Sequence, residues 1–194
     1  MSVAAILLAA GRSTRFGDAD KLAAPLGDLP LGLHAARALA ALPLAARLVV
    51  TGPTALEWPN FRTVRNERPE AGMAHSIGLG IAAARRLGAD AVLIALADMP
   101  FVTTRHFQRL LDRHVGPDSL VASSAGDRRM PPALFGANWF DTLGTLGGDR
   151  GARALLDRAD IIAAGSGQMR DVDSISDLEN ARISLGVSPV VERP

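Results

Sequence analysis

The chain has 194 residues, of which 48% are hydrophobic and 21% are charged, and its formal net charge is +1. This length suits one domain with a sizeable core, and the near-neutral charge argues against nucleic acid or a membrane surface as a partner. The sequence contains no cysteine, which excludes disulfides and thiolate metal sites. We therefore expect one domain over residues 1–186, a loose tail over 187–194, and a small anionic ligand.

The first apolar run, residues 3–10, is too short to span a membrane and follows no basic segment, so we expect a buried strand (3–9) of a cytoplasmic protein. Residues 131–135 contain two prolines and are predicted to form an irregular or edge strand. Apolar strands that alternate with helices predict an α/β fold, a mostly parallel central sheet with helices on both faces. In chain order, the other predicted elements are helix 31–42, strand 47–51, strand 61–65, helix 72–87, strand 91–97, helix 104–114, strand 120–123, helix 152–159, strand 161–164 and helix 177–184.

A loop of glycine, hydroxyl and basic residues follows the first strand and ends at Lys21. Gly11 lacks a Cβ, so backbone N–H groups around it can surround an anion. Arg12 and Arg15 can grip phosphoryl oxygens bidentately, and Lys21 adds a point charge. The spacing matches neither the P-loop nor the dinucleotide-binding glycine motif. The segment therefore predicts a different phosphate-binding loop at the carboxyl edge of the sheet.

A carboxylate, Asp98, follows the predicted strand 91–97 directly and precedes Met99 and Pro100. Magnesium prefers oxygen ligands and is often held by one or two carboxylates together with substrate phosphates. The alternative is that Asp98 caps a helix that begins near Val102. Together with the basic loop, the sequence favours a metal ligand.

A third polar stretch joins Asn66 to the start of the helix 72–87. Gly72 would let a ligand approach the N–H groups of the first helical turn, and Ser76 would add a hydroxyl. An ordinary turn before a helix would explain the same residues. We interpret the stretch as part of the ligand site because polar groups also follow the neighbouring strands.

Two weaker stretches complete the candidate site. Gly148 and Asp149 precede the helix 152–159, and Arg153 lies in its first turn. Asp149 could be only an N-terminal cap, and the arginine could hold an anion. Asp173 lies before the last helix and could supply a second metal contact, whereas Ser174 or Ser176 is a natural cap for that helix.

Five motifs, taken together and in order, resemble the small, MobA-like nucleotidyltransferases of molybdenum cofactor maturation. The resemblance runs from about Val3 to Ala181, and the Gly148–Arg153 stretch is similar to the cytidylyltransferase branch. The motifs are Leu8-Ala9-Ala10-Gly11-x-Ser13-x-Arg15-Phe16-Gly17 with Lys21, Asn66 with Gly72 and Ser76, Ala97-Asp98-Met99-Pro100, Gly148-Asp149-x-Gly151-Ala152-Arg153, and Asp171-x-Asp173-Ser174-x-x-Asp177-Leu178.

The resemblance implies a Rossmann-like, three-layer nucleotidyltransferase fold and transfer of CMP from CTP to the terminal phosphate of molybdopterin, with Mg²⁺ and release of pyrophosphate. A molybdoenzyme or its maturation chaperone would be a protein partner. Arg15, Lys21 and Asp98 would be catalytic, and Asp98, with Asp173, would bind the metal. The implied nucleotide-binding residues are Leu8, Ala9, Ala10, Gly11, Arg12, Asn66 and Ser76, and the implied substrate-binding residues are Gly72, Gly148, Asp149 and Arg153.

Alanine at position 10, where the guanylyl branch has glycine, favours the smaller base of CTP over GTP. The stretch Arg129–Phe135 departs from the family pattern in a region expected to face the acceptor. The alternatives are therefore a GTP-dependent or other nucleotidyltransferase with a different phosphorylated acceptor, or a non-catalytic chaperone that carries a finished molybdenum cofactor.

Overall fold

The protein was analysed as a computed structural model that describes residues 2–11, 16, 20–54, 56–146 and 154–186. A seven-stranded sheet crosses this described part in the order β5-β4-β1-β6-β8-β7-β9, and β2 and β3 form a small separate hairpin. The strands are β1 (Val3–Ala9), β2 (Pro25–Leu26), β3 (Leu29–Pro30), β4 (Ala46–Thr51), β5 (Arg62–Arg65), β6 (Ala91–Leu96), β7 (Leu120–Ala125), β8 (Arg128–Gly136) and β9 (Asp160–Ala163). The helices named here are α1 (Leu31–Ala40), α2 (Met73–Arg86), α3 (Thr104–Leu111), α4 (Phe140–Gly144) and α5 (Ile175–Ser184).

Strand β1 is buried on both faces, as its unbroken apolar sequence predicts. Its residues alternate between two hydrophobic clusters, with Leu7 in one cluster and Ile6 in the other. The first cluster includes Leu39 of α1 and Phe107 of α3, and the second includes Ile81 of α2. The sheet therefore lies between two helical layers, which confirms the predicted α/β fold with a mostly parallel sheet.

Helix α2 approaches the sheet closely at Gly80. A Cβ on this residue would lie 2.6 Å from Cγ2 of Ile6. The absence of a side chain lets α2 pack closely against β1. The candidate site lies where the end of this strand meets the start of this helix.

Strand β8 corrects the predicted edge position of residues 131–135. It lies inside the sheet, antiparallel to β6 on one side and to β7 on the other. The alternative of an irregular strand was right, because Ala122 is opposite Ala133 whereas Ser123 is opposite Met130. Pro131 and Pro132 lie in this interruption. The pairing between the strands needs no N–H donor there, so the missing proline N–H groups cost no hydrogen bond.

The described helix ends follow ordinary capping chemistry. Thr103 caps α3 by accepting from the N–H of His106, so Asp98 is not the cap of that helix. Ser174 and Asp177 form a capping box at the start of α5. The part of helix 152–159 that is described is helical over 154–156. No helix within the described ranges is long and apolar enough to cross a membrane.

Candidate active site

Asp98 lies just beyond the carboxyl end of β6. The preceding residue continues the contact between strands, since the N–H of Ala97 donates to the carbonyl of Leu8 at 3.0 Å. The carbonyl of Asp98 accepts from the N–H of Val172 at 2.9 Å. This hydrogen bond joins the segment before α5 to the Asp98 backbone, and Asp173, the next residue, therefore lies beside Asp98.

Lys21 connects the two carboxylates. Its Nζ lies 2.9 Å from Oδ2 of Asp98 and 3.0 Å from Oδ1 of Asp173, and the lysine is 7% exposed. A short 3₁₀ turn, Lys21–Ala23, holds its backbone, and Asp20 caps this turn by accepting from the N–H of Leu22. Thr54 donates to the other carboxylate oxygen of Asp20. The structure thus brings together three predicted residues that are distant in sequence.

The charges of this cluster are unbalanced. Burial raises the pKa of the Asp98 carboxyl; Lys21 lowers it, and the carboxylates of Asp173 and Asp171 add to the rise. For Lys21 burial lowers the pKa, but Asp98 and Asp173 outweigh it, so the pKa of the ammonium is raised. The lysine is therefore positively charged, and among the described residues of this cluster one ammonium is shared by two carboxylates, an arrangement that favours a further cation.

A cavity of about 290 Å³ opens beside Asp98. It lies between the end of β1 and the start of α2, where the carboxyl edge of the sheet meets the amino end of a long helix. Such an edge is where open α/β sheets bind ligands. The lining residues are Leu8, Ala10, Gly11, Pro69, Gly72, Met73, Ser76, Leu96 and Asp98.

The start of α2 shapes one wall of this cavity. Gly72 has a φ of 85°, in the left-handed region that favours glycine. The side chain of Asn66 lies behind the wall: its Nδ2 donates to Oγ of Ser76 at 3.0 Å, and its Oδ1 accepts from the N–H of Arg68 at 2.8 Å. Asn66 is 1% exposed and therefore orients Ser76, the residue that lines the cavity.

The donor set fits a magnesium ion. Oδ1 of Asp98 is buried and has no hydrogen-bond partner among the described residues. A buried carboxylate oxygen without a partner is costly unless a cation or water satisfies it. The described residues contain no cluster of three or more acidic or imidazole side chains suited to a metal. Asp98 and Asp173 are a donor set of the size that magnesium uses when substrate phosphates supply the other ligands.

Several predicted site residues do not join this cavity or lie outside the described ranges. Ala9 packs into the hydrophobic cluster on the opposite face of β1 from Leu8, which leaves only its backbone for a ligand. The residues outside the described ranges are Arg12, Arg15, Gly148, Asp149 and Arg153, together with the predicted tail, 187–194.

Three cavity residues were missed by the sequence interpretation. Pro69, Met73 and Leu96 line the cavity but carry no polar group that would mark them. Only Leu96 could have been predicted. It lies two residues before Asp98, and alternate residues of a strand point to the same face.

A second cavity, of about 400 Å³, opens at the opposite edge of the sheet, where β7 and β9 begin. Its lining includes Arg113, Trp139 and Arg158, with the guanidinium of Arg158 5.4 Å from the Trp139 ring centre. The smaller cavity is the candidate active site, because Asp98 lines it beside Lys21 and the carboxyl ends of the parallel strands meet there.

Comparison with known proteins decides the family. The model of the MobA-like NTP transferase domain matches residues 5–163, which include Lys21, Asp98 and the whole cavity. The chain belongs to this family. The MobA-like match ends before Asp173, so the second carboxylate at Lys21 comes from outside the matched region.

A relative of nearly the same length is the purine catabolism protein PucB of Bacillus subtilis (strain 168). The two are 31% identical over 199 residues, covering 93% of this chain and 96% of PucB. This similarity extends through the Asp173 segment.

Solved structures share the fold. A nucleotidyl transferase from Methanothermobacter, Mth528, superposes with a TM-score of 0.80 at 22% identity, covering 94% of this chain and 97% of its own. Rv0371c of Mycobacterium tuberculosis H37Rv, solved as a complex with manganese, gives 0.76 at 22% identity, covering 95% of this chain and all (100%) of its own. The fold is therefore the Rossmann-like fold of nucleotidyltransferases.

Proposed function

We propose that this MobA-like protein transfers CMP from CTP to the terminal phosphate of a molybdopterin-type cofactor and releases pyrophosphate, with Mg²⁺ as the metal. The observation that carries the proposal is the position of Asp98 and Lys21 beside a cavity bounded by Ala10, Gly11 and the start of α2. A carboxylate, an ammonium and exposed backbone groups at one edge suit a triphosphate and its metal.

The attacking group needs little activation by the protein. A terminal phosphate monoester has a second pKa near about 6, so its oxygen is ionised at neutral pH. The reaction then joins two anions, and the protein must hold them in line and stabilise the charge of the leaving pyrophosphate. Lys21, with Arg15 from the basic loop, would supply that positive charge.

Four of the residues that line the cavity have a definite task in this proposal. Backbone groups at Ala10 and Gly11 would contact the nucleotide, and the Ser76 hydroxyl, held by Asn66, would bind it from the start of α2. Asp98 would hold the magnesium ion through Oδ1, with Asp173 as a second ligand. When bound, this ion would polarise the phosphoryl oxygens. The manganese complex of Rv0371c supports a divalent metal in this fold.

The preference for cytosine depends on Ala10. This residue lines the cavity and is 9% exposed, so its methyl group occupies space that a purine would need. One methyl group contributes about 1–3 kcal/mol of discrimination. We therefore propose CTP as the preferred triphosphate.

The acceptor would approach from the β8 side. Because β8 is antiparallel to β6, its first residues lie at the same edge as Asp98. Arg129 at this end donates through Nη1 to the carbonyls of Leu156 and Asp157, so its guanidinium is occupied by the protein itself. The departure from the family pattern at Arg129–Pro132 thus alters a wall of the acceptor side.

A nucleotidyltransferase with another phosphorylated acceptor is the second candidate. Two observations favour it: the altered stretch at Arg129–Pro132, and the name of the relative PucB, which refers to purine catabolism. In either case we propose a cytoplasmic reaction. For the molybdopterin product we also propose delivery to a molybdoenzyme or its maturation chaperone.

Incubation with molybdopterin cofactor, magnesium and CTP, GTP or ATP, followed by mass spectrometry of the product, tests the proposal. We expect the cytidylylated cofactor and one pyrophosphate per product, with CTP the fastest substrate. Equal or faster turnover of GTP would overturn the choice of base. Transfer to another phosphorylated compound but not to molybdopterin would establish the second candidate, and cofactor binding without pyrophosphate release would indicate a carrier.

A further inference from the structure

Lys21 is the single lysine of the chain, against 20 arginines. Every other basic side chain is a guanidinium, which binds carboxylates through a rigid, two-pronged fork. An ammonium is a compact charge on a flexible stem, so it can exchange one oxygen for another by rotating the stem. A lysine at this one position therefore provides a cation that is able to change partners.

The partners in the present structure are the oxygens that a metal would need. Nζ of Lys21 is 2.9 Å from Oδ2 of Asp98 and 3.0 Å from Oδ1 of Asp173, while Oδ1 of Asp98 is buried without a hydrogen bond from the described residues. A divalent ion bound to Oδ1 would lie within a few ångströms of the ammonium, since both oxygens belong to one carboxylate. Two cations at that separation repel each other strongly in a partly buried site.

We propose that Lys21 is a resident counter-ion that opposes metal binding until the triphosphate arrives, so that metal and nucleotide bind with positive coupling. This inference rests on the proposed function, because the triphosphate is the anion that would draw the ammonium away. Before it binds, Lys21 neutralises one of the two carboxylate charges. Once it binds, phosphate oxygens accept the ammonium and leave Asp98 and Asp173 to the metal.

The geometry explains how the side chain can move without the chain unfolding. The backbone of Lys21 is fixed by the short turn that Asp20 caps, and Thr54 holds Asp20 in turn. Only the torsions of the lysine stem need to change. The coupling between metal and nucleotide is a property of one side chain, and reciprocity requires that the metal strengthen nucleotide binding by the same factor.

Manganese binding, followed by the EPR signal of the free ion, tests the inference without any turnover. In the absence of nucleotide, Lys21→Met should bind Mn²⁺ about tenfold or more tightly than the wild type, because the opposing charge is gone. Lys21→Arg keeps the charge and is the matched control, which should bind Mn²⁺ no more tightly than the wild type. Equal or weaker binding by Lys21→Met would overturn the proposal.

The single lysine gives a second measurement on the unmodified protein. Labelling with ¹⁵N-lysine yields one side-chain Nζ resonance from Lys21. We expect Mg²⁺ alone, at concentrations below its nucleotide-free dissociation constant, to leave this resonance in place, and Mg²⁺ with α,β-methylene-CTP to shift it. No shift with both ligands would contradict the exchange of partners.

The two failures are distinguishable. If no cofactor is cytidylylated but Lys21→Met binds Mn²⁺ more tightly, the proposed acceptor or base is wrong and the counter-ion role stands. To cover that case, the NMR titration is repeated with α,β-methylene-GTP. If transfer occurs but Mn²⁺ binding is unchanged by Lys21→Met, the counter-ion role is wrong and the proposed function stands.

Discussion

The two sides of the carboxyl edge are built differently. On the β1–β6 side, parallel strands end together and deliver Ala10 and Asp98 to one cavity, where a buried carboxylate oxygen has no hydrogen bond from the described residues. On the β8 side, a strand enters from the opposite direction, and its interruption is held by a satisfied hydrogen bond from Ser123. The first side leaves a carboxylate oxygen available for the proposed metal, and the second uses its polar groups in hydrogen bonds within the protein.

The largest expected effect is loss of activity on the β1–β6 side. Asp98→Asn removes the charge that would hold the metal, so pyrophosphate release should fall by about 10³-fold or more. The free energy of unfolding, measured by urea denaturation, should change by less than about 1 kcal/mol, because Lys21 retains Asp173. Release near the wild-type rate with magnesium would contradict the metal assignment.

Base choice should respond to the cavity wall. Ala10→Gly opens space for a purine, so the ratio of kcat/KM for GTP to that for CTP should rise by about tenfold. Competition of the two triphosphates in one assay measures this ratio. A ratio that does not change would show that the methyl group of Ala10 is not in contact with the base.

A stability effect should dominate at the far end of β8, where Gly136 lies opposite Ala91, the first residue of β6. A Cβ at Gly136 would lie 2.3 Å from the carbonyl oxygen of Pro117, so Gly136→Ala should lower the free energy of unfolding by about 1–3 kcal/mol. Gly80→Ala on the other side is the matched control. Its Cβ would lie 2.6 Å from Cγ2 of Ile6, a side chain rather than backbone, and alanine favours the helix by about 1 kcal/mol, so the loss should be smaller than for Gly136→Ala. A larger loss for Gly80→Ala would reverse the comparison.

The sequence could predict the β1–β6 side because local patterns determine it. A continuous apolar strand followed by Asp98 gives both the element and the position of the carboxylate. The β8 side could not be predicted in the same way. Pro131 and Pro132 argue locally for an edge, and only the pairing of Ala133 with both Ile94 and Ala122 places the strand inside the sheet. Contacts across a sheet depend on its topology, which no local pattern specifies.

The ion pairs of Lys21 could not be predicted from the sequence for a similar reason. The lysine was predicted to hold phosphate, and its pairing with Asp98 and Asp173 joins residues separated by 77 and 152 positions. Asn66 was expected to contact the nucleotide directly, whereas the structure places it behind Ser76. Residue types indicated which polar groups gather at this edge, and the fold determined which of them faces the cavity.

A smaller stability loss is expected from the buried polar bridge behind β8. Ser123 donates to the carbonyl of Pro132 at 2.7 Å and accepts from Nε2 of His106 at 2.8 Å. Ser123→Ala leaves both partners unsatisfied and should lower the free energy of unfolding by about 1–2 kcal/mol. Ser124→Ala, at the adjacent buried serine outside this bridge, is the control and should cost less.

The smallest effect should be a dependence of stability on pH. Burial, with a contribution from Arg109, lowers the pKa of His106 below 6.5. The unfolded chain therefore takes up a proton first, so stability is complete above about 6.5 and is lost as pH falls toward the folded pKa, by at most about 1.4 kcal/mol per pH unit. His106→Gln can still donate to Ser123 but does not titrate, so its stability should change less with acidification. Equal pH profiles would refute this role of His106.

The most direct test of the account is a crystal structure with manganese and α,β-methylene-CTP. Anomalous scattering locates the ion independently of the protein. We predict an anomalous peak within about 2.3 Å of Oδ1 of Asp98, cytosine against Ala10, and phosphate oxygens in contact with Nζ of Lys21. A peak remote from Asp98, or a nucleotide outside the cavity lined by Ala10 and Ser76, would contradict the assignment of this edge as the active site.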